Sequence, residues 1–120
     1  MMTTTHRHID LSYLEMMSDG DDSMKKTMLD MLLEEMPPEL EKLRAATLGQ
    51  DAEQLRQVAH KMKSTLAFVG NPEMSAANAE LEVIGKEATE LQRAGGYFET
   101  FERQYAVVFP ELQAESARLA

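Results

Sequence analysis

Apolar residues recur at helical spacing along most of this 120-residue chain, and no stretch sustains the strict alternation of a strand. Asp10 opens a first, short segment as a cap for Leu11, Tyr13, Leu14 and Met17, and Ser18-Asp19-Gly20-Asp21-Asp22 closes it as a turn. A second segment begins near Asp22 or Ser23 and repeats Met24, Met28, Met31, Leu32, Leu40 and Leu43 up to Gly49. Pro37 and Pro38 remove neighbouring backbone donors inside it, which predicts a kink or short break. Asp51 with Gln54 is a capping-box pattern for a third segment that runs to about Val69, where Gly70 stops it. Asn71-Pro72-Glu73 supplies a cap and a first-turn proline for a fourth, running to about Ala94 before Gly95-Gly96. A fifth starts near Tyr97 with Phe98, Phe101, Tyr105 and Phe109 as its apolar side; Pro110 is expected to bend or break it, leaving a last helical stretch from Leu112 to Leu119.

Long helices joined by short turns predict an all-α fold, an antiparallel four-helix bundle with a short additional N-terminal helix laid across it. The length suits one domain, taken as 9–120 after a flexible N-terminus of residues 1–8. The 10 Met are read as core filling rather than as a cofactor box.

Composition narrows the function classes. With 21 Asp+Glu against 12 Lys+Arg the formal net charge is −9, which excludes holding a nucleic-acid backbone or a negative membrane surface by bulk charge. There is no Cys, hence no disulfide framework, thiolate metal site or thiol nucleophile, and a reducing, cytoplasmic setting is the expectation. No apolar run approaches a membrane span, and the polar start is not a signal peptide. The N-terminal Met suggests a free-standing protein. His6, His8 and Asp10 near the terminus are too few to make a metal site.

The third segment carries the candidate chemistry. Turned at about 100° per residue, Leu55, Val58, Met62, Leu66 and Val69 share the core side, and His60 falls almost opposite. Arg56, Lys63, Ser64 and Ala67 lie on the same polar side as His60. From Gln54 to Pro72 there is no Asp or Glu, only Arg56, Lys61 and Lys63, a positive island in an acidic chain. An exposed His flanked by cations is commonly just a solvated helix face. The functional alternative is an unprotonated imidazole that attacks phosphorus, with neighbouring cations screening the phosphoryl oxygens. No Ser/His/Asp or Cys/His constellation and no Gly-rich phosphate loop is readable.

Ala59-His60-Lys61-Met62-Lys63-Ser64, followed by Gly70 and then Leu81-Glu82, resembles the histidine-containing phosphotransfer (HPt) domain family. Ile9-Asp10-Leu11-Ser12-Tyr13-Leu14, an acidic turn and a long apolar-acidic helix containing Pro fit upstream, so the resemblance covers nearly the whole chain. It implies a four-helix bundle that carries a phosphoryl group on His60 between receiver domains, with no cofactor of its own; magnesium is expected on the receiver. Lys63 is implied to neutralise charge near the phosphorylated imidazole. Glu82 matches a Gln or Glu position close to the His, and Lys86 matches a basic position of some members. Glu82 and Lys86 are also spaced to pair with one another on one helix face. Gln57 joins them as a supporting residue, and Arg56, Lys61, Ala67, Phe68 and Gly70 are candidates to touch the partner, with packing of Phe68 against the fourth segment as the plainer reading. Ser64 departs from the commoner Gly; its hydroxyl could donate to a phosphoryl oxygen or slow docking. Met62 replaces a more usual Leu.

The partners implied are receiver domains of response regulators or a hybrid sensor histidine kinase, met by a monomer. Three other readings stand beside this one: a degenerate bundle of the same fold that docks a receiver without carrying phosphate, an unrelated helical adaptor, and a histidine kinase dimerisation domain. The last lacks its ATP-binding partner in this chain.

Overall fold

The computed structural model describes residues 8–120. Five α-helices follow one another: α1 (Ser12–Met17), α2 (Asp22–Leu48), α3 (Ala52–Val69), α4 (Pro72–Glu87) and, after a single 3-10 turn at Leu91–Arg93, α5 (Ala94–Arg118). No strand occurs among the described residues. The helices α2 to α5 close a bundle in which α3 packs on α2 and α4, and α5 packs on α4 and α2. The molecule measures 50 × 22 × 20 Å, with its long axis set by the 27 residues of α2 and the 25 of α5. Most of the expected flexible N-terminus, His6 included, lies outside the described residues. His8 is tied down: its N–H donates to Glu111 Oε1 at 3.1 Å and its ring Nδ1 lies 2.5 Å from Glu111 Oε2.

Side-chain caps place the bundle. Asp21 and Asp51 accept from the N–H groups of Met24 and Gln54, each at 3.1 Å, and Asn71 accepts from Met74 at 2.8 Å. The N–H of Asp51 donates to the Ala46 carbonyl rather than to Gln54, so only one arm of the capping box forms. Gly70 ends α3 in the left-handed conformation, φ 71°. A Cβ there would lie 2.1 Å from the Asp10 carbonyl oxygen, and the Asp10 N–H donates to the Val69 carbonyl at 3.0 Å. Gly70 thus makes the crossing that carries the chain into α1. Asp10 caps α1 through Ser12, accepting from its N–H at 3.0 Å and its hydroxyl at 2.6 Å.

Four expectations are corrected. First, of the kink or break expected at Pro37–Pro38 and the bend or break expected at Pro110, neither break occurs: α2 and α5 run through the prolines. The buried stripe Leu29, Leu32, Met36, Leu40 and Leu43 continues across the prolines, and its packing outweighs the lost backbone bonds. Second, α4 stops at Ala88 rather than near Ala94. Ala88 and Glu90 take left-handed backbone angles, φ 56° and 53°, and the chain turns back through Leu91, which packs on the core. Third, Gly95 and Gly96 fall inside the first turn of α5, where helix N–H groups lack intrahelical partners and glycine does little harm. Fourth, the methionines do not all fill the core. Met36, Met62 and Met74 are buried, but Met16, Met17, Met24 and Met31 are exposed. On α5, Phe98 and Phe101 are buried as expected, while Tyr105 and Phe109 stack on each other at 5.3 Å and Val108 and Leu112 take the core positions.

Candidate functional site

The apolar stripe of α3 decides where His60 points. Leu55, Val58, Met62, Leu66 and Val69 are all buried, so the residue opposite them is turned outward. The side chain of His60 is 67% exposed. Its Nδ1 lies 2.8 Å from Oε2 of Glu82 on α4, and the other oxygen of that carboxylate, Oε1, lies 3.1 Å from Lys63 Nζ. Glu82 itself is mostly covered, 17% exposed. The hydrogen bonds from His60 and then Lys63 hold its carboxyl below the usual range. At neutral pH it is a carboxylate and can only accept. His60 Nδ1 is therefore the protonated nitrogen, and in the neutral ring Nε2 keeps its lone pair, directed away from Glu82 toward solvent.

Backbone proximity makes this bridge possible. Ala59, the residue before His60, is fully buried against α4. A Cβ on Gly85 would stand 2.6 Å from the Arg56 nitrogen and 2.8 Å from the Ala52 carbonyl oxygen, so α3 and α4 meet here backbone to backbone. Between these small residues Asn78 of α4, also buried, donates from Nδ2 to the Ala59 carbonyl at 2.8 Å. Asn78 was not among the residues singled out from the sequence. Its signal was a polar side chain between Met74, Ala77, Leu81 and Ile84 on the buried face of α4.

The remaining candidates divide. Lys86 is exposed and makes no ion pair among the described residues; Glu82 turns to α3 instead, so the alternative Glu82–Lys86 pair does not form. Arg56 pairs with Glu53, and Gln57 donates to the same carboxylate at 3.2 Å, so both are held one turn away from His60. Lys61 leans toward α2, 3.6 Å from the covered carboxylate of Glu39. The Ser64 hydroxyl donates to the Lys61 carbonyl at 3.3 Å, back into its own helix. Ala67 is exposed on the His60 side. Phe68 is half-buried against the core and meets the Tyr13 ring of α1 at 5.0 Å. With Met28, Met31, Leu32, Glu35, Ser64 and Thr65 it lines a shallow cleft of about 280 Å³ between α2 and α3. Gly70 serves the crossing of Asp10 and stands ten residues beyond His60.

Among the described residues, no group of three or more His, Asp or Glu could hold a metal ion, and no helix is long and apolar enough to cross a membrane.

A comparison with curated proteins finds no match. Among solved structures, the fold is similar to the crystal structure of histidine-containing phosphotransfer protein B (HptB) from Pseudomonas aeruginosa PAO1. The TM-score is 0.82 at 28% identity, covering 95% of this chain and 98% of that one. The model of the Hpt domain family matches residues 27–119, a span that holds α3, α4 and the His60–Glu82–Lys63 cluster. The chain belongs to the Hpt domain family.

Proposed function

We propose that this protein relays a phosphoryl group on His60 between the aspartyl phosphates of receiver domains. The observation that carries the reading is the 2.8 Å contact between Nδ1 of the exposed His60 ring and Glu82, the carboxylate that Lys63 also meets. The lone pair of Nε2 attacks the phosphorus in line. The N–P bond forms as the bond from phosphorus to the aspartyl oxygen breaks, and the aspartate leaves as a carboxylate. No proton need move: Nδ1 keeps its hydrogen, and the positive charge that develops on the ring faces Glu82. Lys63 swings from Glu82 to the phosphoryl oxygens. The receiver contributes its own acidic pocket and magnesium ion. On this reading the protein is a carrier rather than an autonomous enzyme, and its partners are receiver domains, free or joined to a hybrid sensor histidine kinase. The receiver covers the exposed side of α3, from Ser64 and Ala67 to the cleft walled by Met31 and Phe68.

The test is to mix the protein with a phosphorylated receiver and follow label that is acid-labile and base-stable. Transfer to the native protein and none to His60→Gln is the expected result. Label that persists in His60→Gln would remove His60 from the mechanism, and receiver binding without label would replace the carrier reading with a docking one.

A further inference from the structure

Asn78 is placed where a polar residue costs stability. Only 2% of it is exposed; its Nδ2 donates to the Ala59 carbonyl at 2.8 Å, yet its Oδ1 is buried with no hydrogen-bond partner among the described residues. The Ala59 carbonyl sits inside α3, where the N–H one turn on already serves it, so this extra bond satisfies no orphan group. A buried amide that leaves one of its own ends unpaired and relieves no other is worth less to folding than an apolar side chain of the same shape. Its neighbours give it another use. Ala59 precedes His60, and Asn78 precedes Glu82 by one turn of α4, so the bond joins the two helices immediately beside the His60–Glu82 contact. It fixes the sliding of α4 along α3, the coordinate on which the reach of Glu82 to Nδ1 depends.

We propose that Asn78 is a positioning residue for phosphoryl transfer, holding α3 and α4 in the register that keeps Glu82 on His60 Nδ1 and Nε2 free to react. The inference rests on the phosphotransfer reading for its consequence, not for its geometry. Asn78→Leu has room, because the side chain borders an open cleft of about 300 Å³ shared with Lys63, Leu66, Ser75 and Ala79.

The experiment compares the native protein with Asn78→Leu and Asn78→Ala in three measurements: thermal unfolding, the ¹⁵N spectrum of the His60 ring without any partner, and the rate of phosphoryl uptake from a phosphorylated receiver. Expected for Asn78→Leu are a melting temperature equal to or above the native one, a shift of the ring from the Nδ1–H form toward a mixture of tautomers, and uptake slowed about tenfold, the scale of a misplacement of under an ångström. Asn78→Ala gives the same ring shift and slowing even where its smaller side chain lowers the melting temperature. Native ring signals and native uptake in both variants would overturn the proposal, as would loss of folding in both. Because the ring spectrum is recorded on the unphosphorylated protein alone, it judges Asn78 separately from the phosphotransfer reading, which stands or falls on His60→Gln.

Discussion

His60 and Lys63, one turn apart on α3, share a single carboxylate on α4: Glu82 places Oε2 2.8 Å from the imidazole Nδ1 and Oε1 3.1 Å from the ammonium. One carboxylate thereby holds both the imidazole and the ammonium, and in the proposed relay it would orient the nucleophile and hold the cation. Substitution separates the two roles. Glu82→Gln keeps an oxygen that accepts from Nδ1–H but loses the charge that holds Lys63; Glu82→Leu keeps neither. Phosphoryl uptake is expected to fall in that order, with the Leu variant slowed about a hundredfold, the scale of one lost preorganised contact. Equal rates in all three proteins would exclude Glu82 from the mechanism.

Lys63→Ala leaves Glu82 on His60 but removes the cation. Uptake from the receiver is expected to drop about tenfold to a hundredfold, while the ring tautomer of His60 is unchanged. A changed tautomer would mean that Lys63 acts by placing Glu82 rather than by meeting the phosphoryl group.

The lowered carboxyl of Glu82 gives stability a defined pH dependence. Its ordinary value is 4.5, and the folded protein holds it lower, first through His60 and then through Lys63. A carboxyl depressed by folding stabilises the protein fully above its unfolded pKa, and that contribution drains away as pH falls through the folded one. The melting temperature of the native protein should therefore lose its advantage over Glu82→Gln as pH is lowered from about 5 to about 3. An advantage that grows over that range would contradict the assignment.

Gly85→Ala tests the close approach of α3 and α4. The new methyl would lie 2.6 Å and 2.8 Å from backbone atoms of Arg56 and Ala52, which cannot rotate away. The helices must separate, at a cost of about 1–3 kcal/mol, set against a gain of about 1 kcal/mol from helix propensity. Chemical denaturation should show net destabilisation, and the ¹⁵N spectrum of His60 should show its contact with Glu82 weakened. A more stable variant with native ring signals would show that the approach is not tight.

Pro38 offers the opposite case. It is exposed, α2 continues through it, and its missing N–H leaves the Glu34 carbonyl without a helical donor. Pro38→Ala is expected to raise stability by about 1–3 kcal/mol, read as a higher melting temperature with unchanged phosphoryl uptake. A lower melting temperature would mean that the proline supports a bend the bundle needs.

Where chemistry is local, the sequence was legible. Asp51 and Gly70 bracket α3 as expected because a carboxylate cap and a left-handed glycine act within one turn of the backbone. The apolar stripe of α3 followed from period alone, and with it the outward direction of His60. The end of α4 was not legible: Ala88, Thr89 and Glu90 carry no punctuation, and the reversal there serves the docking of Leu91 and Ala94 on the core. Nor were the intact helices through Pro37, Pro38 and Pro110, where burial of neighbouring side chains overrides a local penalty.

By itself, then, the sequence determined four long helices, their order, and a histidine set against the buried face of α3 in an acid-free stretch, because periodicity and caps act between residues a few positions apart. Only the tertiary structure decided that Glu82 would serve His60 and Lys63 rather than pair with Lys86, that Phe68 would meet Tyr13, and that Asn78 would join α4 to α3 beside the nucleophile. Each of these depends on how far one helix slides along another. At the small residues Ala59 and Gly85 the two backbones come close enough for one side chain to reach across.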